Sequence, residues 1–368
     1  MTDQLTIPAT GRKPIPTGTS FLMAGGGTGG HVIPALAVAR ELRSRGHKVF
    51  FVGTEHGMEA RLVPPEGFEF KTIQIGGLNQ VSWQQKFATL GRLPITTLKC
   101  GRSVRDASAV FSMGGYVAGP PVMAALVRRV PVVVMEPNAV PGFTNRVIAR
   151  LVSRALVSFP ETAAFFPQGR TEVTGLPVRE EFFRILPKPR GEVLNVLITG
   201  GSQGSRTLNH AARQSWPLFR GSRYPVRITH QTGTSAFQET AEAFAQSGLE
   251  GEVVPFIADM PAAFAAADLI VCRSGAGTVS ELAAAGRASV LVPFPFAADD
   301  HQTRNAQAME RARAARLVRD AEMTGEKLFE MVTTVSGELG PMGESARQFA
   351  RPGAARRAAD ILEEVARA

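Results

Sequence analysis

Short apolar runs recur along this chain. Each is followed by a polar or glycine-rich break and then by apolar positions at helical spacing. Residues 20–24, 48–52, 109–112, 131–135 and 155–157 read as strands, and 34–45, 120–129 and 143–151 as helices. The strand candidates are continuously apolar rather than alternating, the pattern of parallel strands covered by helices on both faces. Around 174–191 the texture changes to three prolines among many charges, which reads as a linker. The pattern restarts at 193–199 (VLNVLIT), runs into GGSQGSRTLN, and continues with apolar runs at 226–230, 253–255, 269–272 and 289–292. Residues 353–367 form an amphipathic helical pattern.

This order predicts an α/β protein built from two Rossmann-like domains with parallel sheets. The first spans 1–178 and the second 179–352, and the helix 353–367 closes the chain. A length of 368 residues suits two cores better than one. Glycine-rich strand-to-helix turns at 25–30 and 200–204 head the two halves. Two open parallel sheets that face each other put a ligand cleft at the carboxyl ends of their strands.

Charge narrows the partners. Lys and Arg number 41 against 32 Asp and Glu, a formal net charge of +9. A basic surface favours nucleic acid, phosphorylated substrates or anionic lipid. There is no dense Lys/Arg block and no nucleic-acid motif, so no nucleic acid is expected. Cys100 and Cys272 form neither a disulfide framework nor a metal pattern, which suits a reducing compartment. Residues 1–19 are polar and lack the apolar stretch of a signal peptide. No run of about 18 apolar residues is present to span a bilayer. Residues 76–105 interleave Leu78, Val81, Trp83, Phe87, Leu90 and Leu93 with Lys86, Arg92, Lys99, Arg102 and Arg105. That mixture fits either an anionic membrane surface or a buried helix with a solvated basic face.

The candidate chemistry follows the apolar runs. The turn at 25–30 holds five glycines among six residues, and His31 comes directly after it. Backbone amides at a helix start bind anions. Gly25-x-Gly27-x-x-Gly30, with Glu55 after the second strand, also fits a dinucleotide fingerprint. An NAD-dependent oxidoreductase is therefore one alternative, though two such turns and an ionisable His31 argue against it. In the segment from Cys272 to Ala306, a helix is expected near Thr278. Thr278-x-x-Glu281 reads equally as a capping box or as a ribose site, since a carboxylate accepts two hydrogen bonds from a vicinal diol. Asp299, Asp300, His301, Gln302 and Asn305 follow a Pro-Phe-Pro loop. No Asp-x-Asp and no set of residues at metal-ligand spacing is present, so no metal is expected.

Five segments in order, GGGTGGHVIPALAVA, MGGYVAGP, EPNAVPGFTNR, GGSQGSRTLN and CRSGAGTVSELAAAG with PFPFAADDHQTRNA, resemble the signatures of the MurG family. The resemblance runs from about Ser20 to Asn305. It implies the GT-B fold and a metal-independent, cofactor-free, inverting transfer of N-acetylglucosamine from UDP-GlcNAc to lipid I, at the cytoplasmic face of the membrane. It implies a lipid-acceptor role for the first domain, a donor role for the second and a last helix that crosses back. Other cell-wall synthesis proteins are implied as further partners. Among site residues it implies Thr28, Gly29 and Gly30 near the sugar and diphosphate, and His31 as catalytic or diphosphate-contacting. Asn138 would reach the donor, Arg179 the diphosphate, Ser202 a phosphate and Ile257 the uracil. Ala276, Gly277, Thr278, Val279 and Ser280 would form the donor-binding helix start, with Glu281 on the ribose and Gln302 on sugar hydroxyls. Glu136 is a rival base to His31. Where many relatives read Glu-Gln-Asn, this chain has Glu136-Pro137-Asn138, which removes one backbone donor. Where relatives often carry two glutamines, it has His301-Gln302. A transferase with another lipid acceptor or a UDP-sugar 2-epimerase are same-fold alternatives, and the MGGYVAGP and EPNAVPGFTN segments favour lipid I.

Overall fold

The computed structural model describes residues 16–75, 83–189 and 191–367, with only the backbone described for 83–93. The first domain holds a seven-stranded parallel sheet of β1 (Ser20–Ala24), β2 (Lys48–Gly53), β3 (Glu69–Thr72), β4 (Ala109–Ser112), β5 (Val132–Glu136), β6 (Arg154–Val157) and β7 (Thr171–Val173). Its helices are α1 (Gly29–Ser44), α2 (Met58–Leu62), α3 (Trp83–Arg105), α4 (Gly115–Val127) and α5 (Phe143–Ile148). The second domain holds a six-stranded parallel sheet of β8 (Leu194–Thr199), β9 (Val226–Gln231), β10 (Glu250–Val254), β11 (Leu269–Cys272), β12 (Ala288–Leu291) and β13 (Arg316–Leu317). Its helices are α6 (Glu180–Phe183), α7 (Arg206–Arg220), α8 (Phe237–Ser247), α9 (Met260–Ala266), α10 (Ala276–Ala285), α11 (His301–Arg311), α12 (Gly325–Val335) and α13 (Leu339–Arg347). The last helix, α14 (Ala354–Ala366), follows.

The strand orders are β3-β2-β1-β4-β5-β6-β7 and β10-β9-β8-β11-β12-β13. In both sheets the order reverses beside the domain's first strand, so β1/β4 and β8/β11 are the switch points at which ligands bind. Both glycine turns leave the sheet there. The central strands are apolar on both faces because helices cover both. Phe21, Met23, Phe51 and Phe111 belong to one cluster, and Leu22, Phe50, Val110 and Val134 to another.

Two features differ from the sequence reading. The short outer strands β3, β7 and β13 have only partly buried or exposed residues, so no apolar run announced them. Helices α1 and α4 begin five residues earlier than the apolar spacing suggested and enclose Pro34, Pro120 and Pro121. Their first residues are the glycines Gly29, Gly30 and Gly115.

Helix α14 packs on α1. Ala358, Ala359, Ile361, Leu362 and Val365 join the first domain's apolar cluster. Arg45 bonds Asp360 at 2.7 Å and Glu363 at 3.2 Å, and His47 meets Glu363 at 3.0 Å. At the opposite seam, Ala139 and Phe159 of the first domain share a buried cluster with Phe182, Phe264 and Leu282 of the second. The two sheets are thus joined by apolar packing at the base of the cleft.

Candidate active site between the two glycine turns

The first turn is shaped from beneath by an acid that sequence reasoning missed. Glu55, the acid of the dinucleotide alternative, is exposed beyond the end of β2. Glu59 is instead fully buried. Its Oε2 accepts the Gly27 N–H at 2.8 Å, and its Oε1 accepts the Thr54 N–H at 2.9 Å and the Thr54 hydroxyl at 2.7 Å. A Cβ at Gly26, Gly53 or Gly57 would collide with the Glu59 side chain. The spacing of Gly53 and Gly57 around Glu59 was the available signal. Burial alone would raise this carboxyl, yet the bonds from Thr54 and Gly27 hold it below the usual range.

His31 sits in the first turn of α1, after the exposed N-cap Thr28. Its Nδ1 lies 3.2 Å from the Gly26 carbonyl and 3.4 Å from the Thr28 hydroxyl. Held on the carbonyl, Nδ1 carries the hydrogen and Nε2 keeps its lone pair. Burial lowers the basicity of His31. The Gly26 carbonyl and Glu59 oppose this, while His301, from the other domain, adds to it. His301 is therefore within electrostatic reach across the cleft. At the start of a helix, Gly29 and Gly30 have amides without intrahelical partners.

Glu136 closes β5 and is buried. It accepts the Asn138 N–H at 3.0 Å, the Gly142 N–H at 3.1 Å and the amides of Asn138 at 3.1 Å and Asn145 at 2.8 Å. Desolvation raises its pKa against these bonds. With four donors converging on it, Glu136 serves as the core of the 136–145 loop, a role poorly compatible with taking a proton from a substrate. Asn138 does not point into open space either. Its Oδ1 accepts from Asn305 Nδ2 at 3.1 Å, and Asn305 Oδ1 accepts the Ala139 N–H at 2.9 Å. Asn305, on α11, is fully buried and ties the first domain to the second.

On the other wall, the turn at 200–204 is tight because Gly204 and Gly233 lie against each other's backbone, and a Cβ on either would strike it. Gln231 braces this turn, donating to the Gly201 carbonyl at 2.8 Å and accepting the Ile257 N–H at 2.8 Å. The Ser202 side chain is exposed above it. The Ile257 amide, occupied by Gln231, is thus not free to meet a ligand. Helix α10 starts at Ala276 with Gly275 as its N-cap and no side-chain cap. Thr278 and Glu281 thus lie inside the helix and form no capping box, because the chain turns helical before Thr278. A Cβ at Gly275 or Gly277 would meet nothing, so this helix start faces open space. Val279 is buried in the apolar cluster that the two domains share. Ser280 is partly exposed.

Glu281 has about a quarter of its side chain exposed, 3.8 Å from Arg179. Desolvation pushes its carboxyl up to about 7, with Arg179 pulling the other way. The Arg179 guanidinium stacks 5.0 Å from the centre of the Phe182 ring and stays half exposed toward the cleft. Gln302 uses Oε1 to accept the Phe294 N–H at 3.0 Å, which leaves its Nε2 for a ligand. Among the described residues, no three His, Cys, Asp or Glu side chains are grouped to hold a metal ion.

Of the residues implicated by sequence, Thr28, Ser202, Arg179 and Gln302 are at least partly exposed, whereas Glu136 and Val279 are buried and Asn138 is bonded to Asn305. The glycosyltransferase family 28 N-terminal domain matches residues 21–157, and the family 28 C-terminal domain matches 195–364. A UDP-N-acetylglucosamine--N-acetylmuramyl-(pentapeptide) pyrophosphoryl-undecaprenol N-acetylglucosamine transferase from Solibacter usitatus is 87% identical over 367 residues, spanning all of both chains. The chain belongs to this family. The same-named transferase of Azotobacter vinelandii is 43% identical over 95% of this chain and 99% of its own. The crystal structure of Acinetobacter baumannii MurG, 36% identical, superposes with a TM-score of 0.80 over 94% of this chain and 99% of that one. The fold is therefore the GT-B arrangement of two facing α/β domains.

Proposed function

We infer that the chain is an inverting transferase that moves N-acetylglucosamine from UDP-GlcNAc to the 4-hydroxyl of the MurNAc of lipid I, giving lipid II for peptidoglycan. The observation that carries this is the 87% identity, over the full length, to a transferase whose name specifies that sugar and that acceptor. Such a reaction must remove a proton from the acceptor hydroxyl and stabilise the charge gathering on the departing UDP.

His31 is the proton acceptor. Its Nδ1 is held on a carbonyl, so Nε2 can take the hydroxyl proton as the C–O bond forms, assistance typically worth about 10²–10⁴ in rate. The amides at the start of α10 and in the turn at 200–204 receive the diphosphate, with Ser202 and Arg179 beside them. Glu281 grips the ribose, and Ile257 flanks the uracil. Thr28, Gly29, Gly30 and Gln302 position the sugar. This division needs no divalent ion and no cofactor.

The acceptor is a polyprenyl lipid, so the first domain docks on an anionic cytoplasmic membrane face. No described helix is long and apolar enough to cross a membrane. Residues 76–82 and the side chains of 83–93, including Trp83 and Phe87, lie outside the described residues. Beyond them, Ile95, Leu98, Val127, Phe143, Val147 and Leu151 are exposed on α3, α4 and α5 and their ends, among Lys99, Arg102, Arg128, Arg146 and Arg150. Apolar side chains among cations suit an anionic interface.

The test is transfer of radiolabelled sugar from UDP-GlcNAc to a short-chain lipid I analogue, with and without EDTA. Labelled lipid II analogue at equal rates in both is the expected result. No transfer overturns the substrate assignment, and loss with EDTA alone overturns the metal-free scheme.

A further inference from the structure

We propose that Glu59 is a positioning residue for the transfer, acting through the single peptide unit between Gly26 and Gly27 to fix His31 with Nδ1 as donor and Nε2 as free acceptor. The unit has two edges. On one, the Gly27 N–H donates to Glu59 Oε2 at 2.8 Å. On the other, the Gly26 carbonyl accepts from His31 Nδ1 at 3.2 Å. A planar trans peptide points these two groups in opposite directions. Carboxylate and imidazole therefore bind the same peptide from its two sides. A carboxylate on the N–H polarises the amide and makes its carbonyl a stronger acceptor. Glu59 thereby acts on His31 without touching it or any substrate, and it stays ionised throughout.

The surroundings fit an acid kept for this purpose. Among the described residues Glu59 pairs with no lysine or arginine, and a buried acid without a cation is costly unless its hydrogen bonds are complete. Thr54 supplies two of them from its backbone and its hydroxyl. Gly26, Gly53 and Gly57 each lack the Cβ that would strike the carboxylate arm. Three glycines and a threonine from separate positions thus converge on one side chain. Besides the Thr28 hydroxyl 3.4 Å from Nδ1, the groups facing His31 are Glu59 beneath the turn, His301 on α11 and the helix start of α4, where a Cβ on Gly115 would stand 3.4 Å from the imidazole. Tyr116 follows on that helix, and its phenol is held up by burial and by the charge of Glu59. Of these groups, Glu59 favours the protonated imidazole and His301 disfavours it.

The inference rests on His31 being the proton acceptor, so the experiment separates the two. Turnover with a short-chain lipid I analogue is measured against pH for wild type, Glu59→Gln and His31→Asn. In parallel, the ring nitrogens of ¹⁵N-histidine-labelled protein are followed by NMR. The expected result for Glu59→Gln is a tenfold or greater fall in kcat, an acid limb moved to lower pH, unchanged UDP affinity and a His31 ring divided between tautomers. An unmoved limb with an unchanged tautomer overturns the proposal. Near-normal turnover of His31→Asn removes His31 from the chemistry, while the tautomer measurement still decides whether Glu59 sets the ring. If Glu59→Gln does not fold, the wild type decides. Its Gly27 amide proton must shift with the same midpoint as the His31 ring, and independence of the two overturns the relay.

Discussion

The two domains start alike, with a buried first strand, a glycine turn and a helix, yet the two turns are built for opposite tasks. In the first, the Gly27 amide is tied to the buried carboxylate of Glu59, and an imidazole stands on the Gly26 carbonyl of the same peptide unit. In the second, among the described residues, the Gly201 N–H of the turn at 200–204 donates to the Thr199 hydroxyl rather than to a carboxylate. A neutral glutamine, Gln231, braces the turn and leaves Ser202 exposed. A carboxylate under an anion site weakens it, whereas a carboxylate behind an imidazole strengthens a base. On the proposed function, the same sequence texture serves proton removal on one wall and diphosphate capture on the other.

The largest blow to this contrast is Gly26→Ala. The new Cβ collides with Glu59, and overpacking of this kind costs about 1–3 kcal/mol. Turnover should fall below a hundredth of wild type, while UDP binding, on the other wall, stays intact by calorimetry. A matching change on the second wall, Glu281→Ala in α10, should do the reverse and weaken UDP binding about ten- to hundredfold, the loss of a charged hydrogen-bonding group. Equal damage to UDP binding from both variants would erase the distinction between the walls.

A smaller effect tests the seam. Asn305→Ala leaves the Ala139 N–H and the Ser274 carbonyl without partners, at a cost of about 1–3 kcal/mol. A lower melting temperature and a larger radius of gyration by X-ray scattering are expected. An unchanged radius would show that Asn305 does not hold the domains together.

The smallest effects are in pH. In the proposed ribose contact, Glu281, whose carboxyl is pushed up to about 7, would accept two hydrogen bonds only when ionised. UDP affinity should therefore decline as pH falls through 7, and Arg179→Ala should move that decline to higher pH. His230 is buried with Nδ1 unpartnered, and desolvation pushes it down to about 4. Its folded-state pKa lies below that of the unfolded chain, near 6.5, so its contribution is complete above about pH 6.5 and is lost as pH falls toward 4. His230→Gln should flatten the melting temperature over that window.

Much of the fold could be read from the chain because the central strands are apolar on both faces, and Phe21–Ala24 or Leu269–Cys272 have no other explanation. Outer strands such as Arg316–Leu317 gave no such signal, since their side chains are only half covered. In the site, glycine turns and the residues after them were legible because steric openness leaves a mark in the sequence. Glu59 and Asn305 bind partners 32 and 166 residues away in the chain. Only the folded arrangement reveals that Glu59 lies under His31, or that Asn138 meets Asn305 rather than empty space.

The claim that the first wall does the proton chemistry and the second holds the nucleotide is tested most directly on one variant. Turnover and UDP affinity of His31→Ala are measured side by side. The account predicts turnover lowered by about 10²–10⁴ with the dissociation constant for UDP unchanged. A loss of UDP affinity as large as the loss of turnover, or turnover close to that of the wild type, would contradict it.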